Sequence, residues 1–198
     1  MMRKTILAAL LLAAAACKNQ TTGAAVDDRA PDDLAAEKAD ESRAAFLAAY
    51  TVFLHPRCMN CHPNGDAPLQ GDDSRPHAQN VKRGPDGHGL YALRCSSCHQ
   101  TANVPGENMP PGSPGWHLPP PEVPMVFEGR SPRELARQFK DRRETGMTLE
   151  QLVHHVTKDA LVLGCWDPGE GRTKPPLPHA EFAARVREWV EKGAALPE

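Results

Sequence analysis

The sequence predicts a mainly α fold, rich in loops and proline, with short helices and little or no sheet. Three observations predict it. Apolar residues recur at helical spacing in several short windows. No alternating β pattern of useful length is present. Prolines number 20 of 198 residues, about double average usage, and proline interrupts helices and sheets alike. Aromatics make up only 5%, which is thin material for a core. A small fold short of apolar bulk needs a staple, such as a metal, a disulfide or a cofactor. With a net charge of −2, the chain offers no electrostatic case for nucleic acid or a charged bilayer surface.

The N-terminus reads as an address. Arg3 and Lys4 precede an apolar run over 5–12, four alanines and then Cys17, the pattern of a secretory signal peptide. The run falls short of the roughly 20 residues that a membrane span needs. Cys17 after alanines resembles a bacterial lipoprotein cleavage site, with Ala14 where that pattern usually has leucine. The lipoprotein reading is preferred over simple secretion. It puts the mature protein in the periplasm, held to a membrane by lipid on Cys17. Residues 18–33 are a polar tether that cannot bury enough surface to order itself, and 34–198 form a single domain.

Helices are expected in sequence order. Phe46, Leu47, Tyr50, Phe53 and Leu54 share one helical face, and 89–94 is a shorter run of the same kind. Ser131, Pro132 and Glu134 supply an N-cap, a first-turn proline and a capping box, ahead of Leu135 and Phe139. Thr148 and Gln151 repeat the capping pattern before an apolar face of Leu149, Leu152, Val153 and Val156. The last helix buries Phe182, Val186, Trp189 and Val190.

The six cysteines identify the staple. Cys58-Met59-Asn60-Cys61-His62 and Cys95-Ser96-Ser97-Cys98-His99 are two C-x-x-C-H motifs. Thiols at this spacing reach the two vinyl groups on one haem edge, and the following histidine supplies the proximal nitrogen to iron. A four-cysteine zinc site would leave both histidines as coincidences. A thioredoxin-like pair would want a βαβ context. Disulfides are compatible with export, but the C-x-x-C loop is a strained place for one. Two such motifs in an exported chain point to two covalent c-type haems.

Both motif contexts resemble class I cytochromes c, in which a helix bearing an aromatic leads into C-x-x-C-H. The stretch from Phe182 through Trp189 and Val190 is similar to the closing helix of small bacterial cytochromes. The region 54–121, with Arg75-Pro76-His77 and Trp116-His117-Leu118, further resembles proteins labelled as a subunit associated with isoquinoline 1-oxidoreductase, a molybdenum hydroxylase. That resemblance implies a molybdenum hydroxylase as redox partner, with electrons passed on to the respiratory chain. Cys58 and Cys95 lie only 37 positions apart, too close for two class I domains in tandem. The expectation is one loop-rich, cytochrome c-like fold shared by two haems.

His77 follows His62 by 15 residues and His117 follows His99 by 18, both after Gly/Pro-rich loops. They are the preferred distal ligands, with the haem each serves left open. Met109 is the competitor, resembling the methionine loop of class I cytochromes, and Met125 is a second candidate. At least one bis-histidine, low-potential haem is expected, since methionine ligation raises the potential. His88 reads as loop, His154 and His155 as a solvated surface pair, and His179 as a distant possibility. Arg130, Arg133, Arg137, Lys140, Arg142 and Arg143 form either a docking face for an acidic partner or, preferably, a solvated helix face. Cys165 reads as a buried thiol. The function expected is electron transfer without catalysis. The rivals are a dihaem peroxidase-like enzyme and a haem-based gas or redox sensor.

Overall fold

The computed structural model describes residues 29–198. The expected signal sequence, Cys17 and the expected tether as far as residue 28 lie outside the described residues. Helix α1 spans Pro31–Phe53, opening on a proline with Asp32 and Asp33 in its first turn. Proline's missing N–H costs nothing there, and carboxylates favour the positive end of the helix dipole. Residues 31–33, expected in the tether, therefore belong to this helix. At 23 residues α1 is also longer than the short helices foreseen.

Helix α1 packs chiefly on the C-terminal helix, His179–Glu191. Phe46 meets Trp189 of that helix with ring centroids 4.8 Å apart. Four further helices lie between them in sequence order after α2 (Pro56–Met59): α3 (Pro132–Lys140), α4 (Arg142–Thr145), α5 (Leu149–Lys158) and α6 (Ala160–Gly164), which makes the last one α7. Phe139 on α3 sits 4.9 Å from Phe53, edge to face. Leu152 and Val156 of α5 close the same core. Rings in tilted and edge-on contact add to the area they bury, so a few aromatics suffice here. Both expected capping boxes form, Ser131 with Glu134 and Thr148 with Gln151. Leu47 is the exception on the predicted face of α1 and is 45% exposed.

The segment between α2 and α3 is built differently. Two dipeptide ladders are antiparallel, β1 (Leu69–Gln70) with β2 (Arg75–Pro76) and β3 (Gly89–Leu90) with β4 (Leu93–Arg94). Single 3-10 turns cover Ala78–Asn80 and Cys95–Ser97. Thus 89–94, expected to be helical, is a hairpin with Tyr91 almost fully exposed at its tip. Gly89 explains the difference: its φ is +87°, and a Cβ there would stand 2.6 Å from the Leu93 carbonyl oxygen. Only glycine tolerates both. The buried Arg83 guanidinium donates to the carbonyls of Pro119 (2.6 Å) and Gly65 (2.8 Å), pinning distant loops together. The mainly α class holds, with the helices framing one side and the loops the other.

The basic cluster is largely occupied internally. Arg133 donates to the Pro197 carbonyl and Lys140 to that of Ala194, fastening the C-terminal tail to α3. Arg143 pairs with Asp141.

Candidate functional site

Each C-x-x-C-H motif folds as a tight turn. In the first, His55 caps α2 by accepting from the Arg57 N–H, and Pro56 starts the helix. The Cys61 N–H then donates to the Cys58 carbonyl (3.2 Å) and that of His62 to Met59 (2.9 Å). In the second, Cys98 and His99 both donate to the Cys95 carbonyl, at 3.2 and 2.9 Å. Such turns bring the two thiols of a motif to one side, with the histidine beside them.

The two histidines are then held in the same way by unrelated residues. His62 Nδ1–H donates to the Met125 carbonyl at 2.7 Å. His99 Nδ1–H donates to the Pro111 carbonyl at 2.7 Å. His62 stacks on Phe127 with centroids 3.8 Å apart and planes 8° from parallel. His99 stacks on Trp116 at 4.2 Å and 4°. A carbonyl can only accept, so Nδ1 carries the proton and Nε2 keeps its lone pair. Neither Nε2 has a hydrogen-bond partner among the described residues. Burial holds both rings neutral, pushing His62 down to about 3 and lowering His99 as well. A neutral imidazole with one nitrogen tied to a carbonyl is the usual dress of a metal-bound histidine.

Both histidines and all four motif cysteines line one cavity of about 900 Å3, near the upper end of the roughly 300–1,000 Å3 of ligand pockets. Burial pushes the Cys61 thiol up to about 12, with Cys165 and Cys95 adding to the rise. His77 lines the same space, its ring centroid 6.2 Å from that of His99 and its plane at 66°. His117 lines it too, donating from Nδ1 to the Gly115 carbonyl at 2.5 Å and leaning on the His88 ring at 5.1 Å.

Several expectations change. Met109 stands outside the cavity, with its side chain 42% exposed. Its carbonyl accepts from Arg172 (2.6 Å), while its neighbours Asn108 and Pro110 line the cavity. Met125 is buried against the cavity but on the side of His62, whose ring its own carbonyl holds. His179 spends its Nε2 on the Val156 carbonyl at 2.8 Å. His154 is exposed as foreseen, but His155 lines the cavity. Leu152, Val156 and the His155 flank between them face that void together, and residues three apart share a helix flank. Cys165 also lines the cavity, its thiol donating to the Arg57 carbonyl (3.2 Å), and Cys58 beside it lowers its pKa.

None of the five described cysteines is in a disulfide. Among the described residues no group of three or more His, Cys, Asp and Glu converges as a bare ion would need. Haem fits what is present. Arg57 is buried and lines the cavity, and its Nε has no hydrogen-bond partner. A buried orphan donor is costly, and a propionate would satisfy it. Arg75, Arg94 and Arg172 also border the space. The 6.2 Å between His77 and His99 matches two imidazoles on one iron, since metal–nitrogen bonds of about 2 Å on each side put ring centroids roughly 6 Å apart.

The stacking partners Trp116 and Phe127 and the unpaired Arg57 Nε were not singled out from sequence, and His155 was read as part of a solvated surface pair. For His155 the signal was its spacing of three from Leu152. No family model, curated protein or solved structure matches the chain.

Proposed function

We propose that this protein is a periplasmic electron carrier with two covalent c-type haems. Cys58 and Cys61 would attach the first and Cys95 and Cys98 the second, with His62 and His99 as proximal ligands. The observation that carries the reading is the duplicated setting of those histidines. Two rings from different loops are each locked by an Nδ1–H to a carbonyl, each stacked on an aromatic, and each leave Nε2 free beside four thiols around one cavity.

Bound haem supplies one-electron iron chemistry; the chain supplies ligands, burial and spacing. The Met125 and Pro111 carbonyls fix the proximal rings and increase their basicity. His77 opposite His99 favours a bis-histidine, low-potential second haem. The shared cavity would set both macrocycles side by side, as electron exchange between them requires. Exposed loop edges such as Cys98 would bring the second haem near a partner. The resemblance noted above makes a molybdenum hydroxylase the proposed donor, with the respiratory chain as acceptor. Lipid on Cys17 would keep the carrier at the membrane.

Reductive titration with carbon monoxide separates carrier from enzyme or sensor. Uptake of two electrons per chain, no carbon monoxide adduct and no peroxide turnover are expected. Stoichiometric carbon monoxide binding, or turnover of peroxide by the reduced protein, would overturn the carrier reading.

A further inference from the structure

His155 is the one cavity-lining histidine that the motif spacing did not offer, and it is placed as a ligand should be. It sits on α5, a helix closed by a capping box at one end and by Asp159 at the other. Its Nδ1 lies 3.3 Å from Asp159 Oδ2, and Asp159 is itself held by accepting from the Leu161 N–H at 2.8 Å. A carboxylate on Nδ1 leaves Nε2 as the available nitrogen and orients the ring. The ring is half-buried beside Leu152 and Val156, which line the same cavity.

His155 and His62 line the same cavity from different parts of the fold. His62 is held from one side by Met125 and Phe127, whereas His155 comes from the helical frame. His117 belongs to a glycine–proline loop, and its ring rests on His88. His99 already faces His77, so the first haem is the one without an assigned partner.

We propose that His155 is the distal ligand of the haem attached at Cys58 and Cys61, completing a second bis-histidine pair with His62. The assignment rests on the dihaem reading. It places one iron at the seam between loops and helices, anchored to α5, and the other wholly within the loops. Asp159 is then a positioning residue for the ligand.

The test uses the mature holoprotein. First, intact mass must show two haems; its failure would sink the dihaem reading itself and leave nothing for His155 to ligate. With both haems present, His155→Ala is expected to open one of the two irons. The reduced variant would bind one carbon monoxide per chain, where the parent binds none. His155→Met is expected to keep that iron six-coordinate, to introduce a sulfur-to-iron charge-transfer band in the near infrared and to raise one potential. Asp159→Asn should shift one potential and leave both irons closed. The assignment is overturned if His155→Ala leaves both irons unreactive, if His117→Ala opens one instead, or if the parent already shows a sulfur–iron band. The last result would favour a methionine that borders the cavity, Met125 or Met147.

Discussion

The two halves of this molecule are held together by different means. The helical frame, α1 with α3, α5 and α7, carries most of the aromatic cluster, from Phe46 to Trp189, with Phe127 joining it from the loop just before α3. Between Met59 and Pro124 no residue joins that cluster, and the buried apolar side chains there are isolated ones such as Val81 and Leu118. Instead the loop half relies on backbone contacts, positive-φ glycines and the Arg83 bridge. It also carries most of the cavity wall. A segment that cannot bury its own apolar surface does not offset its conformational entropy. The frame has a side-chain core of its own, whereas on the dihaem reading the loop half would draw its apolar contacts from the haems in the cavity.

This contrast can be broken deliberately. Trp189→Ala should have the largest effect, costing about 3–5 kcal/mol of frame stability, because the ring is fully buried against Phe46. Urea unfolding followed by helical circular dichroism measures it. Gly87→Ala strikes the loop half. A Cβ at this φ of +81° would lie 2.0 Å from the Leu118 carbonyl oxygen, and about 2–3 kcal/mol is expected. Hydrogen exchange should show the loss confined to the segment between α2 and α3, with α1 and α7 unchanged.

Removing the second attachment site, Cys95→Ser with Cys98→Ser, should leave the frame melting transition close to that of the parent. Amides between residues 60 and 124 should exchange about tenfold faster or more, since opening there becomes local. Equal loss of protection in α1 and α7 would show that the halves are one cooperative unit. Ser131→Ala removes one capping box and should cost about 1 kcal/mol, read as a small shift in urea midpoint. Smallest of all, Cys165→Ser should leave the haem content at two per chain, because Cys165 touches Cys58 without belonging to a motif.

How much of this was legible in the sequence follows the same division. In the frame, caps and apolar spacing gave the helices and their buried faces, because Ser131, Thr148, Phe182 and Trp189 act locally or at 3.6-residue period. Leu47 departed from its face since α1 has no packing partner on that flank. In the loop half, the motifs were plain but the shape was not. The run before the second motif kept a helix-like apolar content, yet Gly89 and its close backbone approach made a hairpin. Met109 sat in a familiar-looking loop that borders the cavity through Asn108 and Pro110 and not through Met109 itself. His155 was misplaced for a third reason. Its helix faces the core and the cavity on adjoining flanks, and periodicity reports a single apolar face.

The central claim is that the four motif thiols are bonded to porphyrin. Intact-mass measurement of the mature chain from a cytochrome-maturing host, with fragmentation of the peptides containing Cys58–Cys61 and Cys95–Cys98, tests it directly. The account predicts an excess of two haems, one on each peptide, in a red protein. An unmodified mass from a colourless preparation of that host would contradict it.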